Sequence, residues 1–195
     1  MNLPDLRPYR PILLIALLLI VLQGLGPALL RYDPRAIASG ELWRLITGHL
    51  VHANLRHLLL NLAGLWLCQA LTGVRWRLWQ WCWRILLLAL AISLAFWFWQ
   101  PRIQGYVGFS GVLFGLYLLA AAESFSRQVL VSSLLVGLLV VKILLEQFSS
   151  VKIDSGGWIG VPVLVDAHLY GFLAAVLLYL LQQVGRLLGT FNAHE

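Results

Sequence analysis

Six runs of mostly apolar residues, each bounded by charge, glycine or proline, constrain this chain more than any other feature. A helix needs about 20 such residues to cross the hydrocarbon of a bilayer, at about 1.5 Å per residue. The runs lie at approximately 11–30, 52–72, 79–99, 110–126, 129–148 and 163–185, mostly with short connections. The pattern predicts an all-α polytopic membrane protein: one six-transmembrane-helix bundle over 1–195, without a soluble domain. Composition agrees, because 61% of the 195 residues are hydrophobic and 11% charged, against about half and a quarter in a soluble domain. A globule this small cannot hide that surplus, so lipid must face it.

The formal charge of +6 comes from fourteen Lys and Arg scattered between apolar runs. They form no basic stripe or arm, which argues against nucleic acid as a partner. Cys68 and Cys82 lie in or beside apolar segments, with neither a disulfide framework nor zinc-ligand spacing, and read as small buried apolar residues. The small residues at Gly24-Leu25-Gly26-Pro27-Ala28 imitate the end of a signal peptide. Apolar character continues through Leu30 without a clean cleavage site, which favours a retained helix.

With six spans, Arg7, Arg10, Arg75, Arg77, Arg84, Arg127 and Arg186 fall on one side, and Arg31, Arg35, Arg44, Arg102 and Lys152 on the other. The positive-inside rule then places both termini in the cytoplasm. Trp76, Trp79, Trp81 and Trp83 open the third span and Trp97 and Trp99 close it, as two interfacial belts would.

Polar groups at membrane depth are expensive and usually mark a functional interior. His52, His57 and Asn61 open the second span, Ser110 opens the fourth within Gly108-Phe109-Ser110-Gly111, and Asp166 and His168 open the sixth. Those three spans all begin on the same side, so these residues share one leaflet. Gly111 and Gly115 form a GxxxG pair after Ser110, while Gly171 and Ala175 form a small-xxx-small pair after His168. Such faces let two helix backbones approach closely, bringing an imidazole within reach of the serine hydroxyl. His57 and Asn61, four residues apart, share a helix face as two hydrogen-bond donors for a tetrahedral oxyanion. Taken singly, a serine in a glycine-rich turn or a lone intramembrane histidine is usually structural. Their coincidence at one depth points to nucleophile, base and oxyanion hole.

At these residues the sequence resembles the rhomboid family of intramembrane serine proteases. The resemblance rests on His52-x4-His57-x3-Asn61, the G-x-S-G of Gly108 to Gly111, Ala167-His168-x2-Gly171, and Trp43-Arg44 after the first span. It implies a dyad in which Ser110 attacks the scissile carbonyl and His168 takes its proton, with no cofactor and no metal. His57, Asn61 and the Ser110 backbone N–H would form the oxyanion hole, and His52 would brace the first loop. Phe114 stands where many rhomboids carry a tyrosine packed on the catalytic histidine, keeping the ring and losing the hydroxyl. The small size and Thr47-Gly48-His49-x2-His52 resemble the bacterial rhombosortase branch. That branch implies transmembrane protein substrates with C-terminal Gly-Gly-type tails, in the bacterial inner membrane with the active site toward the periplasm.

Three further expectations concern the surroundings. Gln104, Gly105, Tyr106 and Gly108 fit the mouth of a polar cavity that admits water. Asp166, two residues before His168, is a candidate to orient the imidazole, although an acid at a helix start is commonly a cap. The 149–162 connection, with Ser155-Gly156-Gly157, is either a flexible lid or an ordinary connector. Rival readings remain: zinc held by His49, His52, His57 and His168, without the H-E-x-x-H glutamate; a catalytically inactive rhomboid-like protein that binds membrane clients; and a transporter, disfavoured by an apolar cytoplasmic half.

Overall fold

Gly26 and Pro27 decide where the first apolar run stops being one helix. In the computed structural model, which describes residues 7–148, 157, 160 and 162–191 with side chains as far as 188, helix α1 spans Arg10–Leu25. Gly26 follows at φ 84°, and Pro27 opens a separate short helix, α2 (Pro27–Leu30). A positive φ suits glycine, and proline at the first helical position gives up only an N–H that would be unpaired anyway. The expected span over 11–30 is thus corrected to two helices with a turn between them.

Beyond α2 the chain crosses one end of the bundle as a folded loop. Asp33 caps α3 (Pro34–Ala38) by accepting from the N–H groups of Arg35 and Ala36. In α4 (Arg44–Thr47) the Trp43-Arg44 pair turns back on α2. Arg44 Nη1 donates to the carbonyls of Ala28 (3.2 Å) and Arg31 (3.1 Å), Thr47 Oγ1 to Leu30 (2.7 Å) and Trp43 Nε1 to Leu29 (3.4 Å). In so short a helix only the Pro27 carbonyl finds a backbone partner, the Arg31 N–H, and the carbonyls after it, which a helix end leaves unpaired, tie the loop to the bundle. Glu41 supplies the counter-charge, 2.6 Å from Arg44 Nε.

The remaining long helices are α5 (Leu55–Thr72), α6 (Leu78–Trp99), α7 (Ser110–Ser124), α8 (Val129–Phe148) and α9 (Asp166–Phe191). With α1 they follow the order of the six apolar runs. Among the described residues no strand occurs; Tyr32 and Tyr106 form an isolated antiparallel bridge. The second span starts three residues later than expected because Asn54 caps α5, its Oδ1 accepting from His57 N–H at 3.0 Å.

Four helices, those of the first, third, fifth and sixth runs, are long and apolar enough to cross a membrane, and the chain is a multi-pass membrane protein. The other two carry His57, Asn61 and Ser110. The 18 residues of α5 include Arg56, His57, Asn61 and Gln69, and α7 has only 15 residues. Most of α7 is buried, from Gly111 through Leu116 and on to Ala121, so it is a central post that hardly meets lipid. At about 1.5 Å per residue it spans roughly 22 Å of a hydrocarbon layer about 30 Å thick. An α7 that reaches one interface therefore places Ser110 below the other.

Lipid-facing leucines and valines cover α1 and α8, among them Leu14, Leu17, Leu130 and Leu138. The tryptophan belt needs correction. Trp79, Trp97 and Trp99 are exposed as a belt requires, but Trp76 and Trp81 are buried, stacked edge to face at 4.7 Å. Arg84 sits over Trp76 (4.2 Å) and Trp83 (4.5 Å), and Trp76 Nε1 donates to Glu123 at 2.7 Å. For Trp76 the hydrogen bond to Glu123 and the guanidinium on its face offset the cost of leaving the interface; Trp81 goes in on ring packing alone. Cys68 is buried as expected, whereas Cys82 is exposed on α6.

Candidate functional site

Small residues govern which helices meet. The most extensive pairing in the bundle joins α7 to α9. A Cβ on Gly111 would sit 2.7 Å from the Ala167 carbonyl oxygen, one on Gly115 2.8 Å from that of Gly171, and one on Gly171 would overlap the Gly111 carbonyl. Backbone lies against backbone along this seam. It carries Ser110, the first residue of α7, to His168 in the first turn of α9. The serine Oγ and His168 Nε2 are 2.9 Å apart.

His168 is held from three directions. Its ring stacks on Phe114 with centroids 4.3 Å apart and planes 8° apart, so the phenyl ring alone supplies the face-to-face contact. Its side chain is only 4% exposed. Nδ1 lies 2.8 Å from Oε2 of Glu146, whose Oε1 is 2.6 Å from Lys142 Nζ. The place suggested for Asp166 is thus taken by Glu146 from α8, while Asp166 heads α9. The signal for Glu146 was present in the sequence: Lys142 and Glu146 are ionisable residues within an otherwise apolar span, which marks function by default.

The loop before Ser110 is pinned to the loop after α2. Tyr32 and Tyr106 exchange both backbone hydrogen bonds (3.0 and 3.1 Å), and Gly108 N–H donates to the Gly48 carbonyl at 3.1 Å. Gly48 has no room for a side chain, since a Cβ there would run into the Tyr32 backbone nitrogen. Tyr106 is buried, and its hydroxyl donates to the Gly108 carbonyl at 2.7 Å. Gly108 itself takes φ 134°, and a Cβ there would stand 2.7 Å from Cε1 of His57. Only glycine fits both conditions. Because α7 begins at Ser110 without a side-chain cap, the Ser110 N–H stands at a helix start, where a donor has no intrahelical acceptor, while the Leu113 N–H already bonds to the Phe109 carbonyl.

His57 and Asn61 share the α5 face toward Ser110. Asn61 Nδ2 donates to the His57 carbonyl at 2.9 Å, leaving its second amide hydrogen. Both ring nitrogens of His57 are buried without a hydrogen-bond partner among the described residues. A neutral imidazole carries one N–H; a buried donor is rarely left unpaired, and an oxyanion would satisfy that one. His52 braces through its backbone rather than its ring: its N–H donates to Gln23 Oε1 (2.7 Å) and its carbonyl accepts from Gln23 Nε2 (3.1 Å). The His52 ring packs edge to face on His57 at 5.1 Å. Nothing in the spacing of the first span marked Gln23 as its partner.

His49 belongs to the scaffold. Full burial pushes its pKa down to about 3, which keeps it neutral. Ser93 Oγ donates to the Leu45 carbonyl at 2.6 Å, so His49 Nε2 must donate to Ser93 Oγ across 2.9 Å. Among the described residues no three His, Cys, Asp or Glu side chains converge as a metal ion would need.

Two cavities meet the site, and a third shares Ala53, Gly105, Tyr106 and Val107 with the smaller of them. An apolar one of about 440 Å³ runs between α5 and α8, with Ser110, His168, His57 and Asn61 at one end and Leu67, Leu71 and Leu138 toward lipid. A small one of about 130 Å³ lies over Ser110 beneath Val107 and Leu164. A polar basin of about 790 Å³ includes Gln104, Gly105 and Tyr106, where a water entry was expected, together with Arg31, Asp33 and Arg102. The proposed lid at 149–162 lies almost wholly outside the described residues.

No curated protein sequence matches the chain closely. A family model for the rhomboid domain matches residues 39–183, a stretch containing Ser110, His168, His57, Asn61 and Glu146. A match over that much of the sequence, on helices that meet in this way, makes the chain a member of the rhomboid family.

Proposed function

We propose that the chain is an intramembrane serine endopeptidase that cleaves membrane-anchored proteins near a C-terminal Gly-Gly-containing transmembrane tail, as in the rhombosortase branch. The observation that carries this reading is the 2.9 Å approach of Ser110 Oγ to His168 Nε2 at the end of a cavity open toward lipid. Ser110 Oγ bonds to the scissile carbonyl carbon while its proton passes to His168 Nε2. The same nitrogen then gives that proton to the departing amine, and water releases the acyl group by the reverse sequence. His57, Asn61 and the Ser110 N–H receive the oxyanion; donors of this kind are worth roughly 3 kcal/mol each in the transition state. Water reaches the site through the polar basin. A short polytopic chain of this kind fits a bacterial inner membrane, and the charge bias supports both termini in the cytoplasm with the site toward the periplasm.

A substrate helix must unwind before its carbonyls can be attacked, since helical carbonyls are hydrogen-bonded. A Gly-Gly pair lowers that cost by about 1 kcal/mol per residue relative to alanine. The test uses the purified chain in liposomes with a tagged substrate bearing such a tail. Wild type is expected to release a product that Ser110→Ala does not. Cleavage of generic transmembrane segments but not the tail would remove the tail preference. Binding without cleavage of either would replace the protease with a client-binding protein.

The Gly108 geometry gives a second expected result. Gly108→Ala puts a methyl group against His57 and forces a side chain into φ 134°. Misplacing a donor by about 1 Å costs on the order of 100-fold, so kcat should fall by that order with the thermal midpoint nearly kept. Wild-type turnover in this variant would show that His57 need not stand where Gly108 places it.

A further inference from the structure

We infer that Glu146 is a positioning residue that completes a Ser110–His168–Glu146 triad, with Lys142 as its counter-ion. The inference rests on the serine-protease reading and adds an acid to the dyad. A carboxylate can only accept hydrogen bonds, so the 2.8 Å contact between Glu146 Oε2 and His168 Nδ1 assigns the imidazole proton to Nδ1. Nε2 is then left with a lone pair directed at the Ser110 hydroxyl, the one tautomer in which His168 acts as a base. When Nε2 takes the serine proton, the new imidazolium charge lies beside a carboxylate already in place. The Nδ1 proton stays on the ring throughout, so the proton count of the acyl transfer is unchanged.

The position of Glu146 is hard to explain by stability. It sits in the last turn of α8, which ends at Phe148, where the helix dipole disfavours a negative charge. Its side chain is 2% exposed on a helix otherwise covered with leucine and valine, where an ionisable group is costly. Lys142, one turn earlier on the same helix, occupies the other carboxylate oxygen at 2.6 Å. That ion pair offsets part of the burial cost and fixes the carboxylate plane, so Oε2 stays directed at His168. The contacts of His168 with Glu146 on one side and Ser110 on the other put the last turn of α8 beside the first turns of α7 and α9.

The test is Glu146→Gln in the full chain, purified in detergent, with wild type and Ser110→Ala beside it. The amide is nearly isosteric but uncharged, and it can also donate to Nδ1 and impose the wrong tautomer. The expected result is a fall in kcat on the order of 100-fold, with KM within about threefold and the thermal midpoint within a few degrees. A kcat within about threefold of wild type, or a loss that merely follows a lowered midpoint, overturns the inference. Nitrogen-15 spectra of the histidine-labelled wild type read the tautomer without requiring turnover. Protonated Nδ1 with bare Nε2 on His168 supports the triad and the reverse overturns it, even if the variant does not fold. A wild type that fails to cleave any substrate would count against the protease reading, while the tautomer still decides the role of Glu146.

Discussion

His168→Ala is expected to lower kcat by on the order of 10⁴-fold or more, and the double variant with Ser110→Ala should be no slower than either single one. The reason is geometric. Among the described residues, His168 Nε2 is the basic nitrogen hydrogen-bonded to Ser110 Oγ, at 2.9 Å, and a serine hydroxyl without a base is a poor nucleophile. Groups that perform one proton transfer together cannot lose that transfer twice, so their effects are non-additive. The structural cost is smaller: removing an imidazole stacked on Phe114 opens a cavity worth about 2 kcal/mol. Parallel measurements of kcat, serine labelling by a fluorophosphonate and the thermal midpoint separate the two costs. If the double variant multiplies the losses of the single ones, Ser110 and His168 act independently and the dyad is wrong.

Much of this architecture was legible because apolar runs and small residues act through simple physics. The run from 129 to 148 coincides with α8, since nothing inside it competes with a helix. The glycines at 111, 115 and 171 announced a close seam, and Ser110 and His168 lie at its end. What escaped notice depended on how helices rotate about their axes. An apolar run like α8 does not reveal which face meets α9, so the two ionisable residues Lys142 and Glu146 marked the span as functional without saying that Glu146, rather than Asp166, would reach His168. The same blindness made Trp76 and Trp81 look interfacial, when Arg84 and Glu123 draw that corner inward. The break at Gly26 was masked because proline at a helix start leaves the hydropathy of the run unchanged. Gln23 was hidden because its partner is the backbone of His52, twenty-nine residues away.

The second large effect concerns that seam and separates packing from helix propensity. Gly171→Ala and Gly137→Ala are the same substitution within two helices of the bundle. By intrinsic propensity, both should favour the helix by up to about 1 kcal/mol. At Gly137 an added Cβ meets nothing within 4 Å, so that variant should unfold at or above the wild-type midpoint with kcat unchanged. At Gly171 the added carbon would overlap the Gly111 carbonyl and lie 2.8 Å from its carbon atom. The obstacle is backbone rather than a flexible side chain, so α7 and α9 must move apart as units. Overpacking of this kind costs about 3 kcal/mol, enough to outweigh the propensity gain and lower the midpoint by several degrees. Separation also lengthens the hydrogen bond between Ser110 and His168, because both residues stand on the two helices being displaced. Turnover should therefore fall further than the population of folded protein, by on the order of 100-fold. A Gly171→Ala chain with wild-type midpoint and kcat would mean that the two helices need not lie this close for the site to form.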